Sequence, residues 1–156
     1  MSSRFYSIQF NNASVSAAQD LFSVLSTASK AFRLCEFQLS ADASTTTSEL
    51  RLSIKRLPST VTVGSGGSAV TPQPMLSTDS AATVTARSND TTRATTSGTA
   101  ATLFSASINV LNGWQFLPPP EYRPTFALSQ AMVIGMEVAP ASAIVFDAYA
   151  VIEEIF

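Results

Sequence analysis

Apolar residues in this chain recur at every second position, a period that commits a backbone to extended strands whose side chains alternate between two faces. The clearest case is residues 125–156. Met132, Ile134, Met136 and Val138 fall on one side of a first run, and Ile144, Phe146, Ala148, Ala150 and Ile152 on one side of a second. Between them Ala139-Pro140-Ala141-Ser142 suits a connection, because proline cannot donate to a ladder. The pattern predicts a central hairpin. The opposite side of the second run carries Val145, Asp147, Tyr149, Val151 and Glu153, so both faces of that strand are largely apolar.

The same period appears along most of the chain. Tyr6, Ile8 and Phe10 alternate with Phe5, Ser7 and Gln9, and Asn11-Asn12 then favours a turn. Residues 15–25 fit a helical face through Val15, Ala18, Phe22 and Leu25, or a strand through Leu21, Ser23 and Leu25; the surroundings favour strand. A hairpin is expected over 32–57, with a polar tip at 41–47 between AFRLCEFQLS and the alternation of Leu50, Leu52 and Ile54. Residues 58–74, rich in glycine and proline, form a flexible surface loop or an arm lying on a neighbouring subunit. A weak strand over 81–87 and a polar stretch to 102 precede a clear strand at 103–110. Asn112-Gly113 signals a hairpin, Trp114 and Phe116 share a face, and Pro118-Pro119-Pro120 forces an extended path. That segment reads as a rigid crossover or as a recognition element with Tyr122 and Arg123 as anchors.

No amphipathic helix interrupts the series. The expectation is a single all-β domain over residues 1–156, an antiparallel β-sandwich of about seven to nine strands with long Ser/Thr/Gly/Pro loops.

Composition narrows the function. Histidine is absent, which removes the usual general base and the commonest metal ligand, and lysine is confined to Lys30 and Lys55. A Ser-His-Asp arrangement is therefore impossible. The adjacent carboxylates Glu153-Glu154 point to opposite faces of a strand and read as a solvated or salt-bridged edge that limits edge-to-edge pairing. Asp42, Asp79, Asp90 and Asp147 are too dispersed for a metal site, and the glycines at 64–67 lack the ending of a phosphate-binding loop. The only cysteine, Cys35, reads as a small buried hydrophobe. No enzyme, cofactor or metal is expected. A net charge of −2 with scattered cations speaks against nucleic acid. No run is long enough to cross a bilayer, and the first ten residues lack a secretion signal, so the chain is expected to stay out of membranes and to be made in a host cytoplasm. Only 13% of residues are charged, which suits burial against other subunits.

The order of these features, AFRLCEFQLS and SELRLSIKRL, a long Pro/Gly/Ser/Thr-rich connection, a Trp segment beside prolines, and a closing strand AYAVIEEIF, resembles the small decoration or cement proteins on capsids of tailed bacteriophages. The resemblance implies a jelly-roll-like sandwich without catalytic residues. It implies a homotrimer seated on the capsid exterior of the virion, at three-fold and quasi-three-fold positions, clamping major capsid subunits. Under it, subunits join through Val145, Tyr149 and Val151 with Trp114 and Phe116, while the first strand, with Phe5 and Tyr6, and the 58–74 loop meet the shell. The alternative is a carbohydrate- or receptor-binding module of a virion fibre, with Trp114, Tyr122 and Tyr149 against a surface glycan.

Overall fold

A computed structural model of the chain describes residues 3–42 and 47–155. Its strands are β1 (Arg4–Val15), β2 (Gln19–Leu25), β3 (Ala31–Asp42), β4 (Glu49–Leu57), β5 (Val61–Thr62), β6 (Ser68–Val70), β7 (Gln73–Pro74), β8 (Thr85–Asp90), β9 (Thr95–Thr96), β10 (Ala101–Asn109), β11 (Trp114–Phe116), β12 (Thr125–Phe126), β13 (Ala131–Met136) and β14 (Ile144–Ile155). They form two antiparallel sheets packed as a sandwich. The first has the order β11-β3-β14-β1-β7, with β12 also on β3, and the second has β10-β4-β13-β2-β8-β6. A small ribbon, β5-β9, completes the pairing.

Alternation explains the core. Tyr6, Ile8 and Phe10 of β1, Phe37 and Leu39 of β3, and Phe146, Ala148 and Ala150 of β14 point inward from the first sheet. Leu50, Leu52 and Ile54 of β4 and Met132, Ile134 and Met136 of β13 meet them from the second. Aromatic rings bridge the layers: Phe22 of the second sheet lies 6.3 Å from Phe37, edge to face, and 5.1 Å from Phe10, while Phe37 meets Trp114 of its own sheet edge to face at 5.6 Å. Such pairs add to the stabilisation from area burial alone.

Several expectations change. The central hairpin does not form: β13 and β14 lie in different sheets, and residues 137–143 cross the sandwich between them. Both edges of β13 are taken by β2 and β4, and both edges of β14 by β1 and β3. The 32–57 hairpin fails for the same reason, with β3 in one sheet and β4 in the other; part of its polar tip, 43–46, lies outside the described residues. Asn112-Gly113 turns the chain from β10 to β11, again across sheets rather than within a hairpin. The short strands between 58 and 126 raise the strand number above the seven to nine expected, because their two or three residues pair as well.

The 58–74 segment is held on its own sandwich in place of a loose arm. β6 joins the second sheet through β8, β7 joins the first through β1, and β5 pairs with β9. Residues 61–97 form an excursion between β4 and β10 that lies partly over the second sheet, and its Val61 and Ala94 pack on Leu57, Ala131 and Val133, which gives that sheet an apolar outer patch. That covering explains why β13 is buried on both faces.

Antiparallel registers fix the two ends of the sandwich. β1 begins, β3 begins and β14 finishes at one end, here the basal end, where Arg4 lies opposite Glu154 and Ala31 opposite Ile155. The connections 26–30 and 127–130 close the same end.

Candidate functional site

The residues expected at an interface do not gather in one place. Tyr6 is completely buried and its hydroxyl donates to the Ser80 carbonyl at 3.0 Å, so it pins the 75–84 segment and offers no surface. Trp114 and Phe116 are half-buried, Trp114 with its ring against Phe37 of the core and Phe116 against Phe104. Phe5 and Tyr122 stand exposed, while Arg123 is half-buried. Val145, Tyr149 and Val151 share the outer face of β14, each partly covered.

Charged side chains are mostly spent inside the chain. Arg93 donates to Asp20 Oδ1 through Nε at 2.8 Å and to both Glu137 oxygens at 2.9 and 3.0 Å, and Lys55 Nζ reaches Glu137 at 2.8 Å. The Ser53 hydroxyl also donates to Glu137. Gly135 makes room for this: a Cβ there would sit 2.2 Å from Arg93 Nη2. Burial raises the Glu137 carboxyl, but donation from Arg93, Lys55 and Ser53 outweighs it and brings the group down to about 2. Burial pushes Asp20 above its usual range, against donors from Arg93 and the Ala94 N–H at 2.7 Å. The network clasps residues 61–97 to the second sheet.

Glu153 and Glu154 are corrected likewise. β14 runs between β1 and β3, so the pair lies inside a sheet and not on a solvated edge. Glu154 is fully buried and accepts from the Thr83 N–H at 2.6 Å, the Thr83 hydroxyl at 2.8 Å and the Val84 N–H at 3.0 Å, while Glu153 pairs with Arg33 at 3.3 Å. The salt-bridged half of the expectation stands. Cys35 is the extra residue of a bulge, since Val151 pairs with Glu36 and Ile152 with Leu34. Burial pushes its thiol up to about 11, leaving little thiolate at neutral pH.

Uncharged polar chemistry concentrates on the outer face of the first sheet. Registers place Gln9, Tyr149, Gln38 and Gln115 side by side across β1, β14, β3 and β11. The Tyr149 hydroxyl donates to Glu36 Oε1 at 2.6 Å, with Gln38 Oε1 3.0 Å away, and this hydrogen bond raises its pKa. At one end of the row β1 carries a bulge in which Asn11 and Asn12 together oppose Asp147. Asn12 is left-handed at φ 56°, and its N–H donates to Asp147 Oδ1 at 2.6 Å. The expected turn at Asn11-Asn12 is thus a bulge inside one long strand, which re-aims Asn11.

Two hollows meet at Gln9 and Asn11. A recess of about 70 Å³ also touches Gln38, Ser40, Asp147 and Tyr149. A cleft of about 510 Å³ opens on the other side, walled by Ser7, Ser68, Ala69, Thr71, Gln73, Ser88 and Asn89, and floored by Phe10, Ala13 and Val70. Sequence reading singled out Tyr149 but missed the glutamines and Asn11. Their outward positions were legible from the alternation, whereas their meeting depends on strand order.

Among the described residues no group of three or more His, Cys, Asp and Glu side chains is arranged to hold a metal ion. Comparison of the chain with family models, with curated proteins and with solved structures finds no match.

Proposed function

We propose that the chain is a non-enzymatic virion structural protein that binds the outside of a tailed-phage capsid as an oligomer, a trimer, and stabilises contacts between major capsid subunits. The observation that carries the reading is the placement of exposed apolar side chains. Of the nine exposed large apolar side chains among the described residues, five, Phe5, Met75, Leu76, Tyr122 and Leu128, belong to segments that pair or connect toward the basal end; Val63 and Leu117 are also exposed, and Leu111 and Val138 lie toward the opposite end. Met75 is tied beside Phe5 by a backbone hydrogen bond of 2.8 Å, so two of these groups form one patch. Exposed apolar patches on an otherwise polar surface mark sites of association.

The main strand orders, β11-β3-β14-β1 and β10-β4-β13-β2, are those in which a jelly roll winds, and they support the finer fold reading. The mechanism is mass action: a protein that binds only the assembled, expanded shell stabilises that state by its binding free energy, and a trimer adds avidity.

Mixing purified protein with undecorated heads tests this. Stoichiometric binding and a raised disruption temperature are expected, both reduced in a Met75→Ser/Leu76→Ser variant that melts like the parent. Heads that bind none of the protein, or bind it without any gain in disruption temperature, contradict the reading.

A further inference from the structure

We propose that the cleft between β1 and the β6–β7 segment, continued onto the sheet face by Gln9, Asn11, Tyr149 and Gln38, is a binding site for a neutral glycan chain. This goes beyond capsid attachment and stands or falls separately from it.

The lining selects the ligand class. No side chain that lines the cleft is charged; the walls are hydroxyls, primary amides and Ala69, and the floor is Phe10, Ala13 and Val70, while the one carboxylate of the adjoining recess, Asp147, already accepts from the Asn12 N–H. Phosphate, sulfate or nucleic acid would need cationic donors, and a divalent ion would need several carboxylates. A lipid chain would need apolar walls. A carbohydrate presents hydroxyls that both donate and accept around a ring with apolar C–H faces. Amides, which offer two donors and an acceptor each, match the hydroxyls, and the apolar floor matches the ring. The volume of about 510 Å³ falls within the range of roughly 300–1,000 Å³ typical of ligand pockets.

The site is also built with care for position. The β1 bulge, with a left-handed non-glycine residue, sits where the two hollows meet and is locked by Asp147. Bulges of this kind re-aim a side chain at functional sites, and a strained backbone persists only where its surroundings hold it. Asn89, across the cleft, is also left-handed at φ 56°, and its Oδ1 accepts from Gln19 Nε2 at 3.2 Å, which fixes the amide. Adjacent strands then repeat polar groups roughly every 4.8 Å along the Gln9, Tyr149, Gln38 row, a track suited to an extended chain.

Affinity electrophoresis of the whole protein through gels containing dextran, pullulan, galactomannan or soluble β-glucan, with polygalacturonate as the anionic control, tests the assignment. At least one neutral polysaccharide is expected to retard the protein, and Gln9→Ala/Asn11→Ala to weaken that retardation at least tenfold. Since substitution at a bulge can disturb folding, Gln38→Ala, on a regular stretch of β3, gives the second reading, with a loss of about threefold and an unchanged melting temperature. Retardation by polygalacturonate alone, by none of the gels, or equally in parent and both variants overturns the proposal. So does a fall in sedimenting mass of the double variant without sugar binding in the parent, which would make this face a seam between copies.

Discussion

Gly113 sits at φ 66°, and a Cβ built there would lie 2.4 Å from the Leu39 carbonyl oxygen, so both conformation and space demand glycine. Gly113→Ala should therefore destabilise the fold by about 1–3 kcal/mol, read as a lower urea midpoint with an unchanged slope. An unchanged midpoint would mean that the turn relaxes without cost. The Asn-Gly pair itself was legible in the sequence as a turn. Its role was not, because a positive φ serves a hairpin and a crossover equally well. Asn12 makes the same point in reverse: Asn11-Asn12 carries a turn signal, yet the structure uses the left-handed residue for a bulge inside β1. Glu154 was legible as a charged residue near a strand end, but its donors on Thr83 and Val84 lie about 70 positions away in sequence. No local pattern encodes such a partner.

At the level of elements, alternation identified the segments of β1, β3, β4, β10, β13 and β14; it left open which face of β14 is core, and on β3 the Cys35 bulge moves the buried face from Phe32 and Leu34 to Phe37 and Leu39 in a way that strict alternation does not show. It did not identify their neighbours. Period two states which side of a strand is apolar, and nothing in it states whether the next strand lies beside it or across the core. That is why three expected hairpins, at 125–156, at 32–57 and at Asn112-Gly113, became crossovers. The covering of the second sheet by 61–97 was hidden for a related reason, since its clasp joins Asp20, Arg93 and Glu137 from three distant segments. The clasp predicts a pH dependence. Glu137 titrates near 2 in the folded chain against an ordinary 4.5, so its contribution is present above about pH 4.5 and is lost as the pH falls toward about 2. Asp20, raised by burial, acts in the opposite sense and does not add to the acid loss. Glu137→Gln should melt lower than the parent above about pH 4.5 and lose less on acidification below it. Parallel melting curves for the two proteins through that window would remove Glu137 from the acid response.

For the whole molecule, the scarcity of charge is sharper than composition alone indicates. Asp20, Lys55, Arg87, Asp90, Arg93, Glu137, Glu153 and Glu154 are all engaged in internal pairs or hydrogen bonds, so that exposed charges such as Asp42, Glu49, Arg51 and Glu121 are thinly spread among amides, hydroxyls and apolar groups. A surface so weakly charged has little to oppose association, in keeping with a protein that works in an assembly. Under the proposed function, the exposed apolar groups toward the basal end would serve attachment and the amide-lined cleft beside β1 would face away from the shell. The most direct measurement is a cryo-electron-microscopy reconstruction of undecorated heads saturated with the purified protein. The account predicts trimeric density at three-fold and quasi-three-fold positions, with Met75 and Leu76 against the shell and the cleft facing outward. Heads without added density, or density attached through the Gln9 and Gln38 face, would contradict it.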